Sequence, residues 1–347
     1  MFVFSTLAYS LSIRSAFNDF FPGTVDMLME SQSITRPNVE NSHIVKSTFI
    51  NIHCGSAIWF STGGYNKLLV EECMFFNCTS YTDGGAIHFF SMNGGLAISK
   101  VCGHHCFTEN NFGQFIYQYK LSAIIHQLSI HRCPGAYQMN TLYSPIYSLK
   151  GADNFSFCNV SFCQTSAYSI YYGTTISQLL LSYCTFADNI AASNSGIRLE
   201  TISDSRIMNT NLINNYLSNG PLISTNRPTY ISGCIFLFNH CTLFGVYSTN
   251  TFSLSQCFIN HVNGFSYSIG SYAPPMTTNG YTQTLVINHH STYYCNRLIP
   301  EHNTTPCPTF PAPPSTCLSN TEYNSAFLHS LSSIINIISC ILLFPHY

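Results

Sequence analysis

The chain has 347 residues, of which 46% are hydrophobic and only 7% are charged, and its formal net charge is -2. An ordinary soluble domain carries about 25% charged residues, so Ser, Thr, Asn and Tyr must supply the polar surface, a composition that suits a β-rich fold. With 12 Lys and Arg residues and no basic stripe, the sequence excludes a nucleic-acid binder. The 16 cysteines include no Cys-x-x-Cys pair, which argues against a zinc ribbon or a thioredoxin-like site and favours an oxidising compartment.

The N-terminal segment, residues 1–40, is predicted to contain a weak signal peptide followed by a loose cap. Residues 1–13 are apolar, and small residues at 12–16 offer a cleavage site, although no Lys or Arg precedes the apolar run. The alternative for this segment is a first, irregular coil of the main domain.

The main domain, residues 41–292, repeats a unit of about 26 residues, a period typical of solenoids. Each unit begins with an apolar anchor. A small residue two positions earlier shares the strand face of the anchor, and an Asn shortly after it, such as Asn51, Asn77 or Asn189, favours a turn. The anchors are Phe49, Phe75, Phe107, a degenerate unit near Gly135, Phe162, Phe186, Leu212, Phe236 and Phe258.

Two more short strands complete each unit, as at residues 86–89 and 96–98. Strands this short cannot bury their own apolar side chains, so the units must stack coil on coil with rungs about 4.8 Å apart. The sequence therefore predicts an all-β fold, a right-handed parallel β-helix (solenoid) of about eight or nine three-strand coils. Glycine pairs such as Gly84-Gly85 mark turns where a Cβ would clash. A β-sandwich is the alternative, but it requires no three-part unit in a fixed order.

The C-terminal region divides into a stalk and a tail. Residues 293–326 are Pro- and Thr-rich and are predicted to be extended, because such a composition builds no core. Residues 327–344 are apolar and are predicted to anchor the chain, either as a transmembrane segment or as the signal for a lipid anchor. A buried terminal strand or helix is the alternative.

The repeat units resemble those of chlamydial polymorphic outer membrane proteins and of trichomonad surface proteins that share such repeats. The matching motifs are Cys73-x-Phe75-x-Asn77 with Gly84-Gly85-Ala86-Ile87, Cys184-Thr185-Phe186-x-x-Asn189 and Cys234-Ile235-Phe236-x-x-Asn239. The resemblance covers about residues 45–345, although only one unit keeps Gly-Gly-Ala-Ile intact. It implies a right-handed β-helix exposed at a cell surface, with a role in adhesion or antigenic display.

A carbohydrate-active enzyme is the second functional hypothesis, because many parallel β-helices act on polysaccharides. Glycoside cleavage needs two carboxylates about 5 to 9.5 Å apart. Asp153 and Asp204 lie equally far after their anchors, two rungs and hence about 9.6 Å apart, with Arg206 close by. This set is the one catalytic alternative that the spacing offers. Two solvated turn residues are the simpler interpretation, so neither a catalytic residue nor an enzyme activity is predicted.

Other reactive groups give weaker signals. Cys102-Gly103-His104-His105-Cys106 gathers soft ligands, but its spacing matches no common zinc site. No metal and no cofactor is therefore predicted. Cysteines of successive coils, such as Cys234 and Cys257, are expected to be packed thiols or a rung-to-rung disulfide.

The first functional hypothesis is a non-enzymatic cell-surface protein, held by a single C-terminal membrane anchor, that binds a host-cell surface or glycans. A stripe of tyrosines, each following an apolar residue of the second strand, is predicted to face outward and form the contact surface. These binding-face residues are Tyr117, Tyr147, Tyr171 and Tyr247. The second hypothesis is an enzyme similar to a polysaccharide lyase or a glycoside hydrolase. The third is an intracellular structural fragment, which requires that the tail is no anchor.

Overall fold

The computed structural model describes residues 17–22, 25–29, 41–53, 55–109, 112–133, 144–165, 171–191, 195–246 and 252–260, together with Cys295. Apart from one helical turn at residues 17–20, the regular structure of these residues is β-strand. Every strand pairing is parallel, and the chain winds as a right-handed β-helix, as the sequence predicts.

The strands are short, and most have two to five residues. The first half of the chain contains β1 (Met27–Met29), β2 (Asn41–Val45), β3 (Thr48–Ile50), β4 (Ile58–Thr62), β5 (Lys67–Glu71), β6 (Met74–Phe76), β7 (Thr79–Ser80), β8 (Ile87–Ser91), β9 (Gly95–His104), β10 (Phe107–Thr108), β11 (Ile116–Tyr119), β12 (Ser122–His131), β13 (Ile146–Ser156) and β14 (Asn159–Ser161). The second half contains β15 (Gln164–Thr165), β16 (Tyr171–Ser182), β17 (Thr185–Ala187), β18 (Ile190–Ala191), β19 (Ile197–Thr201), β20 (Ser205–Met208), β21 (Asn211–Ile213), β22 (Tyr216–Thr225), β23 (Thr229–Ser232), β24 (Ile235–Leu237), β25 (His240–Val246), β26 (Phe252–Ser255) and β27 (Phe258–Asn260).

Three long ladders of paired strands form the walls of the solenoid. The anchor ladder joins β3, β6, β9, β12, β14, β17, β21, β24 and β27. The second ladder joins β4, β8, β11, β13, β16, β19, β22 and β25. The third ladder joins β1, β2, β5, β9, β12, β13, β16, β20, β23 and β26. The long strands β9, β12, β13 and β16 each turn a corner and so belong to two ladders.

The anchor column faces the core, but four of the nine predicted anchors are wrong, including the one placed near Gly135, where Ile130 takes the position. The residues in register are Phe49, Phe75, Gly103, Ile130, Val160, Phe186, Leu212, Phe236 and Ile259. Phe107 lies instead in the short strand β10, Phe162 is exposed on a turn, and Phe258 precedes the inward Ile259. A Cβ on Gly103 would collide with the ring of Phe115. The core of that coil is therefore filled from the second ladder rather than from an aromatic anchor.

Two rows of left-handed residues turn the chain before and after each anchor strand. The row before contains Lys46, Glu72, Lys100, Gln127, Phe157, Tyr183, Asn209, Gly233 and Gln256, and the row after contains Asn51, Asn77, His105, Arg132, Phe162, Asp188, Asn214 and Phe238. The predicted turn role of Asn51 and Asn77 is confirmed, whereas that of Asn189 is wrong, because Asp188 takes the left-handed position and Asn189 points into the core. Most of the other residues in these two rows are of types that rarely adopt positive φ. The strand pairing on either side of each turn must therefore stabilise this backbone conformation.

A column of small side chains lies inside the core, one position after the second row of turns. In the early coils it consists of four cysteines and in the later coils of three asparagines, namely Cys78, Cys106, Cys133, Cys163, Asn189, Asn215 and Asn239, all buried. Each asparagine oxygen accepts from a backbone amide one coil earlier, and each asparagine amide donates to the carbonyl oxygen of the anchor residue in that same preceding coil. This asparagine ladder provides hydrogen-bond partners for backbone amides and carbonyls that would otherwise be buried without them.

Residues 17–21 and Cys295 contact the solenoid from outside its ladders. Phe17 and Phe21 bury themselves on Leu69 and Ala97, which face outward from the third ladder. A disulfide joins Cys102 of β9 to Cys295. Within the described residues, no helix has the length and apolar character needed to cross a membrane. The predicted signal peptide, the stalk (residues 293–326, apart from Cys295) and the tail (residues 327–344) lie outside the described residues.

Candidate functional site

Asp153 lies inside the solenoid at the centre of a polar cluster. It occupies an inward column of the third ladder, in register with Ala123 and Leu179, and its side chain is 0% exposed. Its Oδ1 lies 2.5 Å from Nζ of Lys120. Its Oδ2 accepts hydrogen bonds of 2.6 Å from the hydroxyls of Ser148 and Tyr171. A buried carboxylate needs such partners, because desolvation of an unpaired charge is costly.

Lys120 balances the charge of Asp153 from the end of the neighbouring coil. Its ammonium group donates to Ser148 Oγ at 2.7 Å and to the carbonyl oxygen of Lys150 at 2.9 Å, and its side chain is also 0% exposed. Burial lowers the pKa of Lys120, although the charge of Asp153 opposes this effect. Burial, reinforced by Asp153, raises the pKa of Tyr171 well above its usual value, so the phenol stays protonated and donates.

Gln118 completes what we name the inner polar cluster, which consists of Gln118, Lys120, Ser148, Asp153 and Tyr171. Gln118, Ser148 and Tyr171 come from successive coils of the second ladder. The Nε2 atom of Gln118 lies 3.5 Å from Asp153 Oδ1, and its Oε1 atom is buried without a hydrogen-bond partner. The cluster is therefore tightly bonded around Asp153 and has one open acceptor beside it.

The predicted carboxylate pair of Asp153 and Asp204 does not form. Asp204 and Arg206 are exposed on the outside, whereas Asp153 points inward. Asp153 aligns with Leu179, and Leu180 aligns with Arg206, so the column of Asp153 does not lead to Asp204. The expectation was wrong because it counted from an anchor near Gly135, whereas the structure anchors that coil at Ile130.

The predicted stripe of outward tyrosines is also corrected. The prediction for Tyr171 is wrong, because this residue aligns with the inward Ile146 and is fully buried in the core. Tyr117 and Tyr147 do lie on the outer face and stack with 5.8 Å between ring centroids, but only 8% and 6% of their surface is exposed. Phe112 covers Tyr147, with a centroid distance of 4.5 Å. Tyr247 lies outside the described residues.

The stacked tyrosines extend an aromatic column along the second ladder. The ring of His88 stacks on Trp59 at 4.0 Å and on Tyr117 at 5.0 Å. Burial lowers the pKa of His88 to about 4, with a partly opposing hydrogen bond to the carbonyl oxygen of Asp83. The column thus behaves as a second, small core outside the solenoid rather than as an open contact surface.

Three histidines cluster on the outer face of the anchor ladder. The rings of His104 and His131 stack with centroids 5.0 Å apart, and His105 meets His104 edge-on at 4.3 Å. Burial, and then neighbouring positive charge, lowers the pKa of His104 to about 3 and that of His131 to about 4. Among the described residues, no group of three or more His, Cys, Asp or Glu has a geometry that could hold a metal ion.

An open depression does exist on the outer face of the third ladder. Arg206 lies directly beneath Tyr230, and Met208 lies beneath Ser232, and these four residues line it. Tyr230 is 47% exposed. Within the described part of the chain, the guanidinium of Arg206 makes no hydrogen bond or ion pair. Sequence reasoning named Arg206 only as an accessory to the carboxylates and missed Tyr230. The sequence does contain a signal for this pair: Arg206 and Tyr230 each follow the inward first residue of their strand, so alternation places both side chains on the outer face.

Comparison with known proteins supplies no relative. No protein-family model, curated protein or solved structure matches the chain. What the protein does must therefore be inferred from its own residues.

Proposed function

We propose that the chain is a non-enzymatic cell-surface β-helix protein that binds acidic glycans through the depression of Arg206 and Tyr230. One observation carries the proposal: an exposed guanidinium without a partner in the described residues lies one rung below an exposed tyrosine ring. A guanidinium binds carboxylate or sulfate groups with two parallel hydrogen bonds. A tyrosine ring offers an amphipathic surface on which a sugar ring packs.

The surface location is part of this proposal. The disulfide between Cys102 and Cys295 supports an oxidising compartment, because cytosolic thiols are kept reduced. The apolar tail at residues 327–344 would supply the anchor, and the Pro- and Thr-rich stalk would hold the β-helix away from the membrane. Adhesion to a host surface or display as an antigen would follow from that placement.

The enzyme hypothesis remains the second candidate, but its residues no longer support it. Glycoside cleavage requires two carboxylates across one bond. Asp153 is paired with Lys120 inside the solenoid, whereas Asp204 is exposed on the outside, so the two carboxylates cannot act on the same bond. A binding function needs no such pair, and the depression of Arg206 and Tyr230 is compatible with it.

Glycan binding is tested with the full chain and three immobilised polysaccharides: polygalacturonate, heparin and neutral dextran. We expect binding to the two acidic polymers and a loss of about tenfold in affinity for Arg206→Gln, because a charge-assisted hydrogen bond contributes about 1.5 to 3 kcal/mol. Arg227→Gln is the matched control, since Arg227 is also an exposed arginine, on the turn before β23, but does not line the depression. Equal binding to dextran, or equal losses for both variants, would overturn the proposal.

The same samples test the enzyme hypothesis. Release of reducing ends or unsaturated products from polygalacturonate or heparin, abolished by Asp204→Asn, would replace the binding proposal with catalysis. Surface display is tested separately by protease treatment of intact cells that carry an epitope tag inserted at Thr304. Loss of the tag while a cytosolic marker survives is the expected result, and a tag that is cut only after lysis contradicts surface display.

A further inference from the structure

Lys120 and Asp153 form an ion pair inside the solenoid, with their Nζ and Oδ1 atoms in direct contact. Both side chains are 0% exposed, and the pair lies between adjacent coils of a largely apolar core. A buried pair of opposite charges carries a desolvation penalty that its mutual attraction does not always offset.

We propose that Lys120 and Asp153 are joined by an intramolecular isopeptide bond, an amide between Nζ and Cγ. The geometry supplies what the condensation needs, namely a buried amine beside a buried carboxyl and two hydroxyl donors on the second carboxyl oxygen. Condensation removes both charges from the core and leaves a neutral amide. It requires no oxidant and no external reagent.

The reaction can be written so that every atom is placed. One ammonium proton passes from Lys120 to Oδ1 of Asp153, which gives a neutral amine and a carboxylic acid. The amine nitrogen then attacks Cγ, and negative charge develops on Oδ2. A second proton leaves the nitrogen for Oδ1, which departs as water as the C–O bond breaks. The remaining N–H of the new amide points to the carbonyl oxygen of Lys150, already 2.9 Å from Nζ.

The surrounding groups favour this course over simple ion pairing. The hydroxyls of Ser148 and Tyr171, each 2.6 Å from Oδ2, form the equivalent of an oxyanion hole for the tetrahedral intermediate. Burial lowers the pKa of Lys120, which makes the neutral amine accessible. The raised pKa of Tyr171 keeps its phenol protonated as a donor.

Intact mass spectrometry of the full chain, made in the bacterial cytosol and then denatured and reduced, decides the matter. We expect a mass about 18 Da below the sequence mass, equal to one water, and a branched peptide joining Lys120 to Asp153 on tandem analysis. Lys120→Arg keeps the positive charge but removes the nucleophile, so its full sequence mass is expected. Tyr171→Phe should leave a larger unlinked fraction, because one oxyanion donor is lost.

Folded wild-type protein at its full sequence mass would overturn the proposal, whatever the variants do. A loss of one water at another position, such as a cyclised aspartate without linkage to Lys120, would overturn it as well. Asp153→Asn provides an independent check, since the same attack on an amide releases ammonia, and we expect a loss of about 17 Da.

Discussion

Replacing Asn215 with alanine tests the asparagine ladder, the feature that holds the later coils together from inside. The Nδ2 of Asn215 donates to Phe186 O at 2.9 Å and to Asn239 Oδ1 at 3.0 Å, and its Oδ1 accepts from Asn189 N at 3.2 Å and Nδ2 at 3.1 Å. The variant loses all four hydrogen bonds and leaves the buried backbone amide of Asn189 without this acceptor. One stranded donor costs about 1–3 kcal/mol and each other bond about 1 kcal/mol. We therefore expect a loss of about 4 kcal/mol.

The assay is urea unfolding followed by far-UV circular dichroism, together with hydrogen exchange of the Asn189 amide. Exchange is needed because a solenoid can open locally without unfolding as a whole. Asn154→Ala is the matched control, since Asn154 is exposed on β13 and its replacement should change stability by less than about 0.5 kcal/mol. A loss below about 1 kcal/mol for Asn215→Ala with unchanged exchange at Asn189 would refute the reasoning.

Three further predictions concern pH, the disulfide and one glycine. Above pH 6.5 His88 is neutral in both the folded and the unfolded state. As pH falls from 6.5 towards about 4, the unfolded state binds the proton first, so His88 should cost about 3 kcal/mol of stability. His88→Phe should make the pH dependence of the urea midpoint shallower by that amount, while His104 and His131 keep their own contributions. Reducing Cys102–Cys295, which closes a separation of 193 residues, should lower the free energy of unfolding by about 3 kcal/mol, and Cys102→Ser should show no further change on reduction. Gly85→Ala should cost at least about 3 kcal/mol because its Cβ would collide with two backbone oxygens, whereas Gly63→Ala meets open space and should be nearly neutral in the same assay.

The repeat could be predicted from the sequence because the solenoid imposes one physical demand on every coil. The residues of the anchor column are apolar or glycine, so Phe75, Phe186 and Phe236 recur in the sequence at a regular spacing. The prediction of Gly84-Gly85 as a turn without room for a Cβ is confirmed for the same reason. Constraints that act within each coil can therefore be recognised in a single sequence.

The register could not be predicted where a side chain from one part of the coil fills the core space of another. Gly103 takes the anchor position because the ring of Phe115, the residue just before β11, fills its space, and no pattern within one unit reveals that exchange. Counting from the wrong anchor then placed Asp153 on the surface. The inner polar cluster was missed for a related reason, since Lys120 and Asp153 look like ordinary surface charges until the ladders bring them together inside.

Cys234 and Cys257 lie two residues before the neighbouring anchors Phe236 and Ile259, and their thiols should differ in reactivity. Cys234 is fully buried, and burial raises its pKa well above the usual value. Cys257 is only partly buried, and a hydrogen bond from the Cys234 thiol lowers its pKa. Because the thiolate is the reactive form, iodoacetamide at pH 8 should label Cys257 first and leave Cys234 unlabelled until the protein unfolds.

The variant Cys234→Ala separates this electrostatic explanation from simple exposure. If the hydrogen bond activates Cys257, its removal raises the pKa of that thiol, and labelling of Cys257 at pH 7 should slow several-fold, although the smaller neighbour leaves it no less exposed. Residue-level labelling rates measured by mass spectrometry from pH 6 to pH 10 give both the rate and the apparent pKa. An unchanged rate would show that exposure alone decides, and equal labelling of Cys234 and Cys257 in the folded wild type would show that the core at this end of the solenoid is open.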